Sequence, residues 1–395
     1  MDRRYFLKTS VAAAVAASLP AHAGFEEVLH RPTEVGADLN AMTGDGAELI
    51  LSKAEVQELS DSLKGKLVLP GTTAYDEARM LINPGFDKHP ALVIRPSGPA
   101  DISSALQFAK DNRLLTAVKC GGHSHSGKST CDGGMQIDLS SFRYCHVDPF
   151  TKTATVAGGS LLGELDHEAM AHGLVTTAGT VSHTGVGGLT LGGGFGRLAR
   201  RYGLSIDNVL AFDIVTPDGK LRRASAEQNP DLYWALRGGG GNFGVVTAFV
   251  FQLHPMQREV ISGRFTFPLG EARQVMNFFG EYAEAAPDEM HVGTGLGASP
   301  GMPEPVANIH FVWSGDPGEV EKLISPIRKA GNPTEEKIDA WDYVALQRSG
   351  DNNDPRANGS YARTGFVGAF TPDLVDAIVD NFDMNPGRAT WIGTQ

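Results

Sequence analysis

Cysteine is scarce, with three residues, Cys120, Cys131 and Cys145, in a chain of 395. An odd count at these spacings excludes a disulfide-framed fold; one pair could close in an oxidising compartment, and buried, idle thiols account for them equally well. Positive charge is also short: 34 Lys and Arg stand against 46 Asp and Glu, a net charge of −12. A surface of that sign repels polyphosphate, which argues against general nucleic-acid binding and leaves a small molecule as the better partner. No apolar run is long enough to span a membrane; the N-terminal one, Thr9 to Leu19, falls well below the ~20 residues that ~30 Å of hydrocarbon requires. Internal repeats and low-complexity tracts are absent. His123 and His125 sit one residue apart, but no further ligands stand at a suitable spacing for a metal site.

Glycine is in excess. There are 48 glycines in 395 residues, well above the typical ~7%, and they crowd between Gly185 and Gly244 without the three-residue period of collagen. Glycine used this way serves tight turns and close approach of backbone to a ligand. The N-terminus reads "MDRRYFLKTSVAAAVAASLPAHA", with Arg3-Arg4, Phe6-Leu7-Lys8, an Ala-rich run and the small-x-small site Ala21-His22-Ala23. This looks like a bacterial twin-arginine export signal over 1–23, so a soluble, exported protein, periplasmic or secreted, is expected. That export machinery carries folded proteins, so the signal itself hints at a cofactor taken up beforehand.

Residues 24–60 read as a polar lead-in with a peripheral helix. "ALVIRP" is a short apolar strand, "PADISSALQFAKDN" a helix with Ile102, Leu106 and Ala109 on one face, and "LLTAVK" a second strand. "GGMQIDLS" and "KTATVAGG" add two more strands. Ser160 is placed as the cap of a helix that carries Leu161, Leu162, Leu165 and Ala169 on one side and stops at Gly173. "NPDLYWALRGG" gives a short helix with Asn229 at the cap and Pro230 at the first position, and its Tyr233, Trp234 and Leu236 read as core. "GVVTAFVFQLHP" is a β-branched strand. Glycine density falls after His254-Pro255, which places a first domain over 61–257 and a second over 258–395.

Two dinucleotide-like fingerprints occur, "GFGRLA" (Gly194, Gly196, Ala199) and "GGGNFG" (Gly239, Gly241, Gly244). The nicotinamide-binding fold needs this pattern after a strand and at the opening of a helix, so that the pyrophosphate meets the helix N-terminus. Small polar chain precedes the first match, and a strand follows the second, so that reading is set aside. Consecutive backbone N–H groups in loops without side chains can still hold an anion. Loops at 121–127, 185–196 and 238–244 therefore read as wrapping one extended diphosphate cofactor.

Taken in order, "PALVIRPSGPADISSALQFAKDN", "KCGGHSHSGKS", "IDLSSF", "TATVAGGSLLGEL", "HTGVGGLTLGGGFGRLARRYGLSIDNV" and "NPDLYWALRGGGGNFGVVTAF" resemble the FAD-linked oxidases of the vanillyl-alcohol oxidase and p-cresol methylhydroxylase superfamily. The likeness is greatest to the berberine bridge enzyme-like branch. The resemblance implies an α+β architecture: a two-subdomain FAD-binding fold of the p-cresol methylhydroxylase type, then a shortened α+β substrate domain whose antiparallel sheet covers the flavin. It also implies a covalent bond from His123 to the flavin 8α-methyl group, with His125 as the rival position. Gly121, Gly122, Ser124 and Gly127 would hold the pyrophosphate, and Thr184, Gly185, Gly188, Gly192, Gly193, Gly194, Gly241, Gly244, Val245 and Val246 would complete the FAD site. Where many relatives carry a second, cysteinyl bond this chain has Val181, so attachment through histidine alone is expected.

The implied reaction is two-electron oxidation of an alcohol or amine C–H. A base takes the hydroxyl or amine proton while hydride passes to flavin N5, and oxygen or another acceptor reoxidises the flavin. Thr184, just before the G-V-G-G turn, occupies a position that in the family bears on oxygen access. The family's bases come from the substrate-domain sheet and a returning C-terminal segment, and this sequence stops at "GRATWIGTQ". Tyr361, Arg363 and His183 are the leading candidates for catalysis, with Tyr343 and Gln395 behind them. A sugar, alkaloid or polyketide substrate is expected. A flavin-binding protein without turnover, or a noncovalent nicotinamide-dependent flavin reductase, are the alternatives.

Overall fold

The structure is a computed structural model that describes residues 32–298, 302–351, 359, 361–382 and 389–394. The segment 1–23, read from the sequence as an export signal, and Gln395 lie outside the described residues. Strands β1 (Leu39–Met42) and β2 (Glu48–Leu51) form a hairpin, and the helix Lys53–Ser62 follows behind a Ser52–Glu55 capping box. Leu51, Val56 and Leu59 are buried in the same apolar cluster as the first sheet.

That sheet contains β3 (Lys66–Val68), β4 (Leu92–Arg95), β5 (Thr116–Lys119) and β6 (Met135–Asp138) in the order β3-β4-β6-β5. β6 is parallel to both β4 and β5, whereas β3 runs antiparallel. The helix Pro99–Asp111 carries the chain from β4 to β5, with Pro99 in its first turn and Ile102, Ala105, Leu106 and Ala109 buried. The strand, helix, strand unit read from the sequence is therefore present, with β6 inserted between its two strands.

The second sheet is antiparallel throughout. β7 (Cys145–Asp148) and β8 (Thr153–Ala157) lead to the helix Leu162–Met170 and to β9 (Leu174–Val175). β10 (Val209–Val215), β11 (Leu221–Ser225) and β12 (Val245–Gln252) complete the order β11-β10-β12-β8-β7, and β13 (His254–Pro255) pairs with β9. Two local expectations need correction. The N-cap of the helix at 162 is Leu161; Ser160 is fully buried and turns its hydroxyl away to bond both the N–H and the C=O of Tyr144. Trp234 is 79% exposed, because the helix Pro230–Leu236 is short and buries only Leu236 fully.

The third sheet is also antiparallel and joins β14 (Glu259–Pro268), β15 (Met290–Ala298), β16 (Val306–Trp313), β17 (Glu335–Asp342) and β18 (Thr390–Gly393) in the order β17-β14-β16-β15-β18. Period-two alternation divides its residues. Phe265, Phe267, Ile309 and Phe311 form one face, which buries its apolar area against the helices Ala272–Ala285 and Pro372–Asp380. The other face is polar: Lys337, Arg264, His310 and Gly293 lie in register across four strands, and Asp339, Ser262, Val312 and His291 form the next row. Arg200 donates to the carbonyls of Ala283 and Ala286, and Arg201 to Ser314 O at 2.9 Å. These bonds tie the helix Ala199–Tyr202 to the third-sheet region and orient the polar face.

Candidate active site

The chain leaves β5 at Lys119 and enters the "CGGHSHSG" loop. Its second residue, Gly121, lies so close to the next glycine segment that a Cβ there would fall 2.4 Å from Gly185 N. The converse holds at Gly185, where a Cβ would meet Gly121 N and Cys120 Sγ, each at 2.4 Å. The two loops therefore touch backbone to backbone. Gly185 also opens the helix Val186–Leu191, which packs against the turn Gly240–Phe243 and so brings the third glycine segment alongside. Gly192, Gly193 and Gly194 turn the chain at the end of that helix. Gly244, at φ 136°, leads into the buried pair Val245 and Val246 of β12.

The backbone N–H groups of Gly122 to Ser126 make no hydrogen bond to the protein among the described residues. Beside Gly188 and Gly241 nothing stands within 4 Å of where a Cβ would be. A cavity of about 620 Å³ opens between Thr116, Val118, Gly241, Gly244 and Val245. A run of uncommitted donors next to bare backbone, with an apolar-walled cavity nearby, has the chemistry that a dinucleotide's diphosphate and ring systems need. The residues present fit FAD. Burial pushes the Cys120 thiol up to about 11, so the sulfur beside these loops remains protonated and inert.

His123 lies at the centre of this junction. Its Nε2 is 2.7 Å from His183 Nδ1, and its Nδ1 is 3.3 Å from Thr184 Oγ1. His183 Nε2 in turn faces Asp351 Oδ1 at 4.0 Å, and Asp351 is held by the backbone N–H of Ser182 at 3.0 Å and by the Ser182 hydroxyl. Burial first, then the nearby His183 and His125, pull the His123 pKa down to about 4, so its ring is neutral at ordinary pH. His125 is exposed, whereas His123 is half-buried between loops. Val181, Ser182 and His183 approach the 349–351 segment, and Gly350 packs against Val181.

Next to this junction a second cavity of about 610 Å³ lies between Thr180 and Arg197 on one side and the polar face of the third sheet on the other. Its lining includes His291, His310, Arg264, Trp341 and Trp391. Burial lowers both His291 and His310 to about 4, with each further depressed by neighbouring positive charge. Asn308 donates its amide to Gly295 O at 3.1 Å, which turns its oxygen to His310 Nδ1 at 3.3 Å. That contact places the His310 proton on Nδ1 and leaves Nε2 as an acceptor. Arg197 bonds Gln347 Oε1, and Gln347 Nε2 donates to Gly179 O at 3.0 Å and Asp166 Oδ2 at 3.3 Å. Asp166 is wholly enclosed, and burial raises its pKa to about 7.

Of the residues anticipated for catalysis that the structure describes, only His183 is at this site. Tyr361 is 81% exposed and accepts a hydrogen bond from Arg363 Nε on an exposed segment, because the local chain offers them no packing against the cavity. Tyr343 is fully buried and its hydroxyl has no hydrogen-bond partner among the described residues. The sequence reading overlooked His291, His310, Arg197 and Asp351. A signal existed for the first two, since "HVGTGLGA" and "NIHFVW" place a histidine on the alternate face of otherwise apolar or glycine-rich strands.

The FAD binding domain family matches residues 90–225. An FAD-linked oxidoreductase of Dictyostelium discoideum is 33% identical over 341 residues, which cover 85% of this chain and 74% of that protein. A xylooligosaccharide oxidase of Thermothelomyces thermophilus is 26% identical over 86% of this chain and 71% of its own length. The crystal structure of 6-hydroxy-D-nicotine oxidase from Arthrobacter nicotinovorans superimposes with a TM-score of 0.69 at 28% identity, covering 72% of this chain and 63% of that one. The glycine-loop junction, the α+β layout and these likenesses agree: the chain belongs to the FAD-linked oxidoreductases of the vanillyl-alcohol oxidase and p-cresol methylhydroxylase superfamily.

Proposed function

We propose that this protein oxidises a hydroxyl- or amine-bearing carbon of a small polar molecule, with FAD held by the three glycine segments and bonded covalently to His123 alone. The observation that carries the reading is the juxtaposition of the His123 junction with the cavity of about 610 Å³ under the third sheet. FAD, once bound, supplies the two-electron acceptor. The chain's own residues do the rest. Trp341 and Trp391 stand at opposite ends of the cavity wall, and Arg264, Glu335, Lys337 and Asp339 give it mixed polar chemistry. Indole faces and polar groups so arranged suit a polyhydroxylated ring, and the xylooligosaccharide oxidase relative supports a sugar-type substrate.

His310 is placed to hold the proton released from the substrate. Its Nε2 carries the lone pair, its ring lies in the cavity wall, and its low pKa keeps it unprotonated until the substrate arrives. Val181 fills the position of a cysteinyl link, and the nearby Cys120 is protonated, which supports a single histidyl bond. With the Arg3-Arg4 segment in front, we place the folded flavoprotein outside the cytoplasm. The test is a denaturing gel viewed for flavin fluorescence, followed by anaerobic mixing of the yellow protein with xylo-, chito- and gluco-oligosaccharides and with hydroxylated amines. Bleaching near 450 nm by one class is the expected result. A flavoprotein that none of them bleaches, but that NADPH reduces rapidly, would replace the oxidase reading with a reductase.

A further inference from the structure

Three basic side chains stand abreast on the polar face of the third sheet. Lys337, Arg264 and His310 are paired in register across β17, β14 and β16, and all three line the cavity of about 610 Å³. Like charges directly opposite one another on paired strands destabilise a sheet, and Lys337 stands opposite Arg264. Glu335 and Asp339, two positions to either side of Lys337, are the acids of this wall. Neither neutralises the pair: among the described residues no hydrogen bond or ion pair engages the side chain of Arg264 or of Lys337, and both are exposed.

The facing wall adds another cation. Arg197 gives Nη1 to Gln347 Oε1, while its Nε and Nη2 make no hydrogen bond among the described residues. Gln347 is fully buried, and the bonds from its Nε2 to Gly179 O and Asp166 Oδ2 turn its oxygen towards the guanidinium. Arg197 is thus tethered by a neutral amide. The carboxyl of Asp166 stands one residue behind, raised by burial to about 7 and therefore mostly uncharged in mildly acidic solution. The free Nε–Nη2 edge is a fork that meets a carboxylate through two parallel bonds. Arg197 and Arg264 both act on His310, lowering its pKa after burial has done so, which sets the two charges near the imidazole that receives the substrate proton in the proposed reaction. A neutral polyol would leave these cations without a counterion, and an acid would supply one.

We infer that the substrate is a sugar acid, with its carboxylate held between Arg197 on one wall of the cavity and Arg264, with Lys337 beside it, on the other; this rests on the oxidase reading above and narrows its polyhydroxylated ring to an anionic one. The carboxylate anchors the molecule at one point, and the hydroxyl-bearing carbons of its ring are then presented to His310 Nε2. Arg197 and Arg264 are specificity-determining residues in this arrangement. They select the charge of the substrate, whereas the proton is taken by His310.

The experiment uses the full-length flavoprotein and matched pairs of compounds that differ in charge: galactose with galacturonate, and galactobiose with digalacturonate. Anaerobic calorimetric titration reads binding, and bleaching of the flavin reads kcat and KM. The acid of each pair is expected to bind at least about tenfold more tightly than its neutral partner, the worth of one charge-assisted contact. Added salt should narrow that margin. Arg197→Met should cut the preference for the acid about tenfold or more, chiefly in KM, and Arg197→Lys should restore part of it. Arg264→Glu changes an exposed side chain outside the apolar core and should invert the preference. A neutral sugar bound as tightly as its acid, or no binding of either acid, would overturn the inference, and so would a preference that survives both Arg197→Met and Arg264→Glu. Equal losses for acid and neutral partner in Arg197→Met, together with a shifted flavin absorption band, would assign that guanidinium to the flavin and overturn it as well. Acids that bind in the expected order but never bleach the flavin would uphold the inference and bring down the oxidase reading instead.

Discussion

The ring of His310 fills the space where a Cβ of Gly293 would stand: across the paired strands β15 and β16 that atom would lie 2.6 Å from both Cε1 and Nε2. Gly293 therefore sets the position of an imidazole that we place against the substrate. Gly293→Ala forces the ring, or the neighbouring Thr394 carbonyl at 2.5 Å, to move. Overpacking of this kind costs about 1–3 kcal/mol. Removing the ring should recover part of that cost, so the double change with His310→Ala should be less destabilising than the sum by at least about 0.5 kcal/mol. Urea titrations of the four proteins measure the cycle, and strict additivity would separate the two residues.

Three imidazoles, His291 buried and His123 and His310 half-buried, give the fold an acid limit. His123, His291 and His310 are held near 4 by burial, below the usual 6.5. A histidine whose folded pKa is depressed contributes stability that is complete above the unfolded value and is lost as pH falls from about 6.5 towards 4. Unfolding midpoints should therefore decline over that interval. His291→Asn removes one titrating ring, so its decline should be shallower whatever its stability at pH 7. Parallel slopes for the two proteins would show that these rings take up protons without unfolding the chain.

Much of the cofactor half was legible because glycine leaves a sharp trace. Gly121, Gly185 and Gly244 occupy positions where any Cβ meets backbone, and such positions tolerate no other residue. The apolar strand "LVIR" and the helix at 99–111 were legible because their periodicity matches a single buried face. The substrate half was harder. Arg197, His310 and Asp351 are separated by 113 and 41 positions in sequence, and only sheet register and the packing of the 343–351 segment bring them to one region. Tyr361 and Arg363 illustrate the converse: residue types suited to catalysis, placed where nothing packs them into a cavity.

Asp166 titrates with the opposite sign to the histidines. Burial raises its folded pKa to about 7, from an ordinary 3.8, against the opposing pull of the Gln347 hydrogen bond and the Arg197 charge. A raised carboxyl contributes stability that is whole below about 3.8 and is lost as pH rises through about 7, since the folded protein must then enclose a charge. Asp166→Asn keeps an acceptor for Gln347 Nε2 and removes the charge. Its melting temperature relative to wild type should therefore climb between pH 5 and pH 8. A difference that stays flat over this range would mean that Arg197 neutralises the carboxylate fully, with Asp166 ionised throughout.

Gly185 and Gly188 are three positions apart in the segment 185–191 and should respond in opposite ways to the same substitution. At Gly185 a methyl group would lie 2.4 Å from the backbone of Gly121, so Gly185→Ala must part the two loops. It should cost about 1–3 kcal/mol in the apoprotein and abolish FAD retention. Beside Gly188 no atom lies within 4 Å, and the residue is inside a helix. Alanine there should hold the apoprotein level or raise its stability by up to about 1 kcal/mol through helix propensity. If the open space at Gly188 is where the cofactor backbone comes close, the same methyl group should weaken FAD binding about tenfold or more. Thermal melts without FAD and equilibrium titration with it separate the two effects. A Gly188→Ala protein that takes up FAD as tightly as wild type would remove this helix from the cofactor site and confine the contact to the 121–127 and 238–244 loops.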